Sequence, residues 1–164
     1  MQTKIGALTI YSNANARDSG DDLTLARGFA LRWLGQAGFL LRGAGLTVLI
    51  DPYLSDSLAE KYHGGLFAHT RMMPSPVDPQ TLREVDWLLC THRHTDHMDP
   101  QTIGPIARNN PSCRFAAPRA ERQQGLERGL PAERTYWLNA GESLDLGHGL
   151  SIKALPSAHE ELTT

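Results

Sequence analysis

The chain has 164 residues, 40% of them hydrophobic, and 16 Lys and Arg against 18 Asp and Glu leave a formal charge of -2. That length suits one domain with a real core, and the even charge balance offers no basic surface for nucleic acid. No apolar run approaches the roughly 18 residues that span a bilayer, and residues 1–10 are too short and too weakly hydrophobic for a signal peptide, so a cytoplasmic protein without a membrane partner is expected.

Residues 12–22 (SNANARDSGDD) carry small and polar types with no apolar period, and residues 1–24 read as a flexible or peripheral arm. Ordered structure is expected from about Leu25. Three short apolar runs follow, Phe29 to Leu34, Phe39 to Arg42 and Leu46 to Ile50, separated by glycine-containing breaks that mark a β-meander. Gly35-Gln36-Ala37-Gly38 reads as a hairpin turn and not as a phosphate cradle, because no helix begins after it. Asp51-Pro52 ends the third strand abruptly. The stretch from Tyr53 to Pro79 is irregular, with the length of a functional loop or short helical insert.

Asp78-Pro79 and Asp99-Pro100 each set a capping carboxylate before a proline fitted to the first helical position, so both predict helix starts. Trp87 to Cys90 lies between them as a buried strand. Cys113 to Ala117 predicts another strand, and Pro118 opens a helix carrying Leu126, which Gly129 and Pro131 stop. Strands at Tyr136 to Leu138, Ser143 to Leu146 and Leu150 to Leu155 complete the pattern. Cys90 and Cys113 read as reduced core thiols, and Trp33, Trp87 and Trp137 as core aromatics. A β-meander, then strands alternating with helices, then a β-rich end places the chain among layered α/β folds.

The chemistry concentrates in Thr91-His92-Arg93-His94-Thr95-Asp96-His97, between the strand ending at Cys90 and the helix start at Asp99. Functional groups of open α/β sheets gather at such carboxyl strand ends. In an extended segment, His92 and His94 project to one side and can share a cation, while Asp96 and His97 reach a neighbouring point. A polar loop of hydrogen-bonded imidazoles is the bland alternative, and desolvating several imidazoles without a cation makes it costly. His159 follows the last strand by a short Pro-Ser-Ala connection and supplies a third imidazole. Three His with water form an open metal site. His63, His69 and His148 lack such company, and Glu160 reads equally as a support for His159 or as solvated surface.

His-x-His-x-Asp-His at positions 92–97 resembles the signature of the metallo-β-lactamase superfamily. Residues 33–40 (WLGQAGFL), 49–54 (LIDPYL) and 154–160 (ALPSAHE) resemble the branch that includes L-ascorbate-6-phosphate lactonase and N-acyl-phosphatidylethanolamine-hydrolysing phospholipase D. The resemblance implies an α/β chain forming half of a four-layer αββα fold, with residues 25–164 as its amino-terminal half and the second half absent. It implies that His92, His94 and His159 hold one metal, that Asp96 and His97 contribute to a second, and that Asp51 supports the ligand loop from behind. One or two divalent ions, Zn2+ or Mn2+, are expected. The activity implied is metal-dependent hydrolysis by a metal-bound hydroxide, with Asp96 passing a proton to the leaving group. The substrate class implied is a sugar-phosphate-like lactone. A phosphodiesterase resembling phospholipase D, or a non-catalytic metal-binding fragment, are the alternatives. No Gly-Asp segment and no later His follow His159 to complete the second position, and the uncovered sheet face of a half-fold predicts association, as in a homo-oligomer, disorder or poor solubility.

Overall fold

The computed structural model describes residues 8–11, 28–66, 68–71, 73–158 and 162–163. Seven strands form one mixed sheet in sequential order: β1 (Leu8–Tyr11), β2 (Phe29–Gly35), β3 (Gly38–Gly43), β4 (Leu46–Ile50), β5 (Trp87–Leu89), β6 (Arg114–Pro118) and β7 (Thr135–Leu138). β2, β3 and β4 are the expected antiparallel meander, with Phe39 opposite Ile50 and Leu41 opposite Val48. β4 to β7 run parallel, which requires a crossover between each pair. β1 lies within the amino-terminal arm and pairs parallel with β2 at the sheet edge.

The crossovers determine where chemistry can sit. Between β4 and β5 the chain makes α1 (Ser57–Lys61) and a long irregular insert. Between β5 and β6 it makes α2 (Pro100–Asn109), and between β6 and β7 it makes α3 (Arg122–Glu127). β2, β4, β5, β6 and β7 therefore all end at one edge of the sheet, where their outgoing loops converge. The sheet is apolar on both faces, as consecutive apolar strands require. Leu40, Leu49, Leu88 and Phe115 point to the side of α2, packing with Ile103 and Ile106. Their sequence neighbours Leu41, Val48, Trp87 and Leu89 face the other way, onto a hairpin of β8 (Ser143–Gly147) and β9 (Leu150–Lys153). Trp87 ties the two sheets directly, its indole N–H donating to the Leu146 carbonyl at 2.9 Å. A short pair, β10 (Ser157–Ala158) with β11 (Leu162–Thr163), ends the described chain.

Four expectations are corrected. No helix begins at Asp78-Pro79: the Asp78 carboxylate accepts from Gln80 N at 2.8 Å and its carbonyl accepts from Thr81 N at 2.9 Å. The turn then stops, and Glu84 sits at φ 58° in the left-handed region, which breaks helical continuation. Trp33 is 47% exposed, because its position in β2 alternates outward, and its indole N–H bonds to the Gln36 carbonyl across the hairpin turn. β9 ends at Lys153 and not at Leu155, which is 73% exposed. Cys90 and Cys113 are buried and unpaired as expected, but each flanks its strand instead of lying within it. The expected onset of order near Leu25 lies outside the described residues.

Candidate metal centre

Asp51 ends β4 and is the hinge of the site. Its backbone adopts φ 44°, a left-handed conformation that Asp tolerates better than most residues. Its N–H donates to the Leu89 carbonyl at 2.8 Å, joining the ends of β4 and β5. The side chain is 5% exposed and reaches under the next loop. There Oδ1 accepts from Thr91 N at 2.7 Å, while Oδ2 accepts from Thr91 Oγ1 at 2.6 Å and from His97 Nδ1 at 2.8 Å. One carboxylate thus fixes both ends of the loop from Thr91 to His97. Gly38 closes the hinge from the other side: a Cβ there would stand 3.1 Å from the Asp51 carbonyl oxygen and 3.1 Å from that of Gly35.

The loop is a compact turn, not the extended segment that the two-residue spacing suggested. His97 N and Met98 N both donate to the His94 carbonyl, at 3.0 and 2.8 Å. Curling the chain still brings the rings together. His92 Nε2 lies 3.0 Å from His94 Nδ1, and the His92 and His97 ring centroids are 3.9 Å apart. His97 Nε2 faces Asp96 Oδ2 at 3.8 Å. His92 Nδ1 contacts Thr91 Oγ1 at 3.1 Å, on the side away from His94. Among the described residues no three His, Cys, Asp or Glu side chains form a complete ligand set for one ion. Two facing pairs are present instead, His92 with His94 and Asp96 with His97. His159 and Glu160 lie outside the described residues.

The protonation tendencies follow from these contacts. Burial lowers the His92 pKa, and the neighbouring His97 and His94 lower it further, so this ring favours the neutral form that binds cations. Burial also acts to lower that of His97, but the Asp51 hydrogen bond and the charges of Asp51 and Asp96 outweigh it and hold this imidazole above its usual value. Burial drives the Cys90 thiol well up, helped by Asp51, so it is an inert neighbour and no nucleophile.

Beside His92 lies a cleft of about 660 Å3 whose apolar lining includes Ile50, Leu89, Ala116, Ile152 and Leu155. Its charged lining is Lys153 and the pair Arg93 and Glu121, 3.8 Å apart. His69 bonds through Nε2 to the Gln36 side chain at 3.1 Å, on the β2–β3 turn. His63 is exposed, and His148 sits in the β8–β9 turn.

Sequence reasoning missed Thr91, which donates twice to Asp51, and it treated Asp99 as a helix cap only. Asp99 is fully buried and accepts from Ser55, Ser57, Thr102 and Gln101. The available signal was the density of hydroxyl residues after Asp51-Pro52, at Ser55 and Ser57, in a stretch otherwise without a legible role.

A mixed sheet with helices on one face, and a His-rich loop hinged on the Asp that follows β4, define a layered α/β protein with a candidate metal loop at its strand ends. Residues 30–164 match the β-lactamase superfamily domain, and the chain belongs to that family. The chain is 26% identical over 147 residues to N-acyl-phosphatidylethanolamine-hydrolyzing phospholipase D 1 of Caenorhabditis elegans, an alignment covering 86% of this chain and 40% of that protein. It is 28% identical over 132 residues to a metal-dependent hydrolase of Pyrobaculum neutrophilum, covering 79% and 50%. Among solved structures it resembles CmlA, a diiron beta-hydroxylase from Streptomyces venezuelae, with a TM-score of 0.53, 26% identity, and coverage of 80% of this chain and 24% of that one. The chain spans half the length, or less, of these curated relatives.

Proposed function

We propose that this chain carries the principal metal-binding loop of a metal-dependent hydrolase. The observation that supports this most directly is the pairing within the loop. Two nitrogens that share a tetrahedral cation at about 2.1 Å stand roughly 3.4 Å apart, and His92 Nε2 and His94 Nδ1 are 3.0 Å apart. His97 fits the second pair, because a ligating imidazole ordinarily gives its other N–H to a carboxylate, and Asp51 accepts that proton here. That leaves His97 Nε2 facing Asp96. In this reading His159 is the third ligand beside His92 and His94, and Asp51 holds His97 without binding the ion.

A divalent cation bound there would supply a Lewis acid for the oxygen under attack and, if it is zinc, a water of pKa near 7. The chain's own residues do the rest. Asp51 and Thr91 keep the loop in register, His92 favours its neutral form, and Asp96 takes the proton lost by the attacking water and passes it to the leaving group. Zn2+ and Mn2+ both suit imidazole and carboxylate donors. The diiron content named for CmlA adds iron to the metals worth testing.

For substrate, the phosphodiester reading is favoured over the lactone reading. Its support is the phospholipase D relative, aligned over 86% of this chain, and a largely apolar cleft beside His92 that Lys153 lines together with the pair of Arg93 and Glu121. The lactone reading draws only on the sequence stretches at 33–40, 49–54 and 154–160, whose resemblance the phospholipase D shares.

The test is turnover of a phosphodiester and of a lactone by the metal-loaded chain and by its His92→Ala, His94→Ala double variant. Phosphodiester cleavage that falls at least about 100-fold in the double variant is expected. Lactone opening with no phosphodiester cleavage would reverse the substrate assignment. Metal bound at one equivalent with turnover of neither substrate would favour a non-catalytic metal-binding role.

A further inference from the structure

Asp99 makes more contacts than a helix cap needs. Capping α2 requires one bond, which Asp99 Oδ1 accepts from Gln101 N at 3.3 Å. The same carboxylate also accepts from Ser55 Oγ at 2.7 Å, from Ser57 Oγ at 3.0 Å and from Thr102 Oγ1. Thr102 Oγ1 in turn accepts from Leu54 N at 2.9 Å. Three of these bonds therefore join α2 to the segment 54–57, which leaves β4 directly after Asp51-Pro52. A fully buried carboxylate is costly unless its lone pairs are met, and here hydroxyls of the neighbouring loop meet them.

The placement of this network matters more than its strength. Asp51 lies four residues before Ser55, and His97 lies two residues before Asp99. The bond from His97 Nδ1 to Asp51 at 2.8 Å joins the two chains at one level, and the bonds from Ser55 and Ser57 to Asp99 join them again just beyond. From its outer side the 53–55 segment is held by Arg71, whose Nη1 donates to the carbonyls of Tyr53 and Ser55, both at 3.0 Å. The segment is thus clamped between a buried guanidinium and a buried carboxylate.

We infer that Asp99, with Ser55, Ser57 and Thr102, is a positioning residue for the metal loop. It is a strut that sets the spacing between the chain bearing Asp51 and the chain bearing His97. The inference rests on the metal-site reading above, but the strut itself has a consequence in the metal-free protein: His97 keeps its orientation only while the two chains stay in register.

The experiment uses the whole chain with Ser55 and Ser57 both changed to Ala, which leaves the Gln101 cap bond in place. Thr102→Val is a second variant, removing the relay to Leu54. Ser75→Ala, which removes a hydroxyl bond to the Val77 carbonyl in the same insert, is the control. Zinc affinity is measured by chelator competition, and the ring nitrogens of His97 are followed by NMR without metal. Loss of a supporting partner behind a ligand typically lowers metal affinity 10- to 100-fold. A drop of about tenfold or more is expected in both strut variants, with displaced His97 signals and an unchanged control. Affinities within about twofold of the parent and unmoved His97 signals would overturn the inference. If the parent chain takes up no zinc while the strut variants still displace the His97 signals, the metal reading fails and the strut stands.

Discussion

Replacing Asp51 tests whether one carboxylate organises the site. In Asp51→Ala three donors lose their acceptor: Thr91 N, Thr91 Oγ1 and His97 Nδ1, at 2.7, 2.6 and 2.8 Å. Hydrogen bonds to a charged group contribute about 1.5–3 kcal/mol each. The Thr91 hydroxyl and the His97 ring, whose side chain is 18% exposed, can turn partly to water, so the three together come to about 4 kcal/mol. The left-handed backbone at φ 44° adds roughly 1 kcal/mol for Ala, since Asp enters this region more readily than most non-glycine residues. Against a typical domain stability of about 5–15 kcal/mol, that approaches unfolding. Asp51→Asn is therefore the more informative variant. It tolerates the same φ and keeps one acceptor oxygen but presents an NH2 group to at least one donor, a loss of about 2 kcal/mol. Urea unfolding followed by tryptophan fluorescence reads both, since Trp87 is buried in β5, the strand whose Leu89 carbonyl accepts the Asp51 N–H. A graded loss, with Ala well below Asn, is expected. Equal stabilities for the two variants, or a loss under about 1 kcal/mol for Ala, would refute the reasoning.

Other expectations follow from close packing and burial. Gly125→Ala sets a Cβ 2.6 Å from the Trp137 ring and 2.9 Å from Leu130, so thermal unfolding should show a loss of about 1–3 kcal/mol from overpacking. Gly38→Ala presses on two carbonyl oxygens that cannot rotate away, at 3.1 Å each. A comparable loss is expected, together with weaker zinc binding, because one of those oxygens belongs to Asp51. Burial pushes the Cys113 thiol up to about 12, against the pull of Arg134. The unfolded thiol ionises near pH 8.5–9, so the Cys113 contribution is constant below that range, falls as pH rises through it, and levels off above about 12. Cys113→Ala should flatten the alkaline decline in stability by up to about 1.4 kcal/mol per pH unit, as measured by urea titrations at pH 8, 9 and 10. An undiminished slope would count against a protonated buried thiol.

The fold was legible wherever local pattern and tertiary need agreed. The glycine-bounded runs from Phe29 to Ile50 alternate toward two faces, and the meander formed with its turns at the expected glycines. Asp99-Pro100 capped a helix because Ile103 and Ile106 had a sheet to pack against. Asp78-Pro79 shows the same local signal with no helix behind it: the turn forms, and the chain then bends at Glu84 to enter β5. Trp33 went astray for a related reason, since side-chain size says nothing about which face of an edge-proximal strand a position takes. At the candidate site, residue types and spacing singled out His92, His94, Asp96 and His97 as candidates, but not the turn that brings their side chains together. Long-range partners decide that conformation. Thr91 and Asp51 are 40 residues apart, and Ser55 and Asp99 are 44 apart, so no local window contains both members of either pair.

The central claim is that the imidazoles of the 92–97 loop hold a divalent cation. X-ray absorption at the zinc or manganese edge of the purified, metal-loaded chain reads this directly. A first shell with imidazole nitrogens at about 2.0–2.1 Å from zinc, lost in the His92→Ala, His94→Ala double variant, is the expected result. A shell of water and carboxylate oxygens alone, or equal metal content in the parent and the double variant, would contradict it.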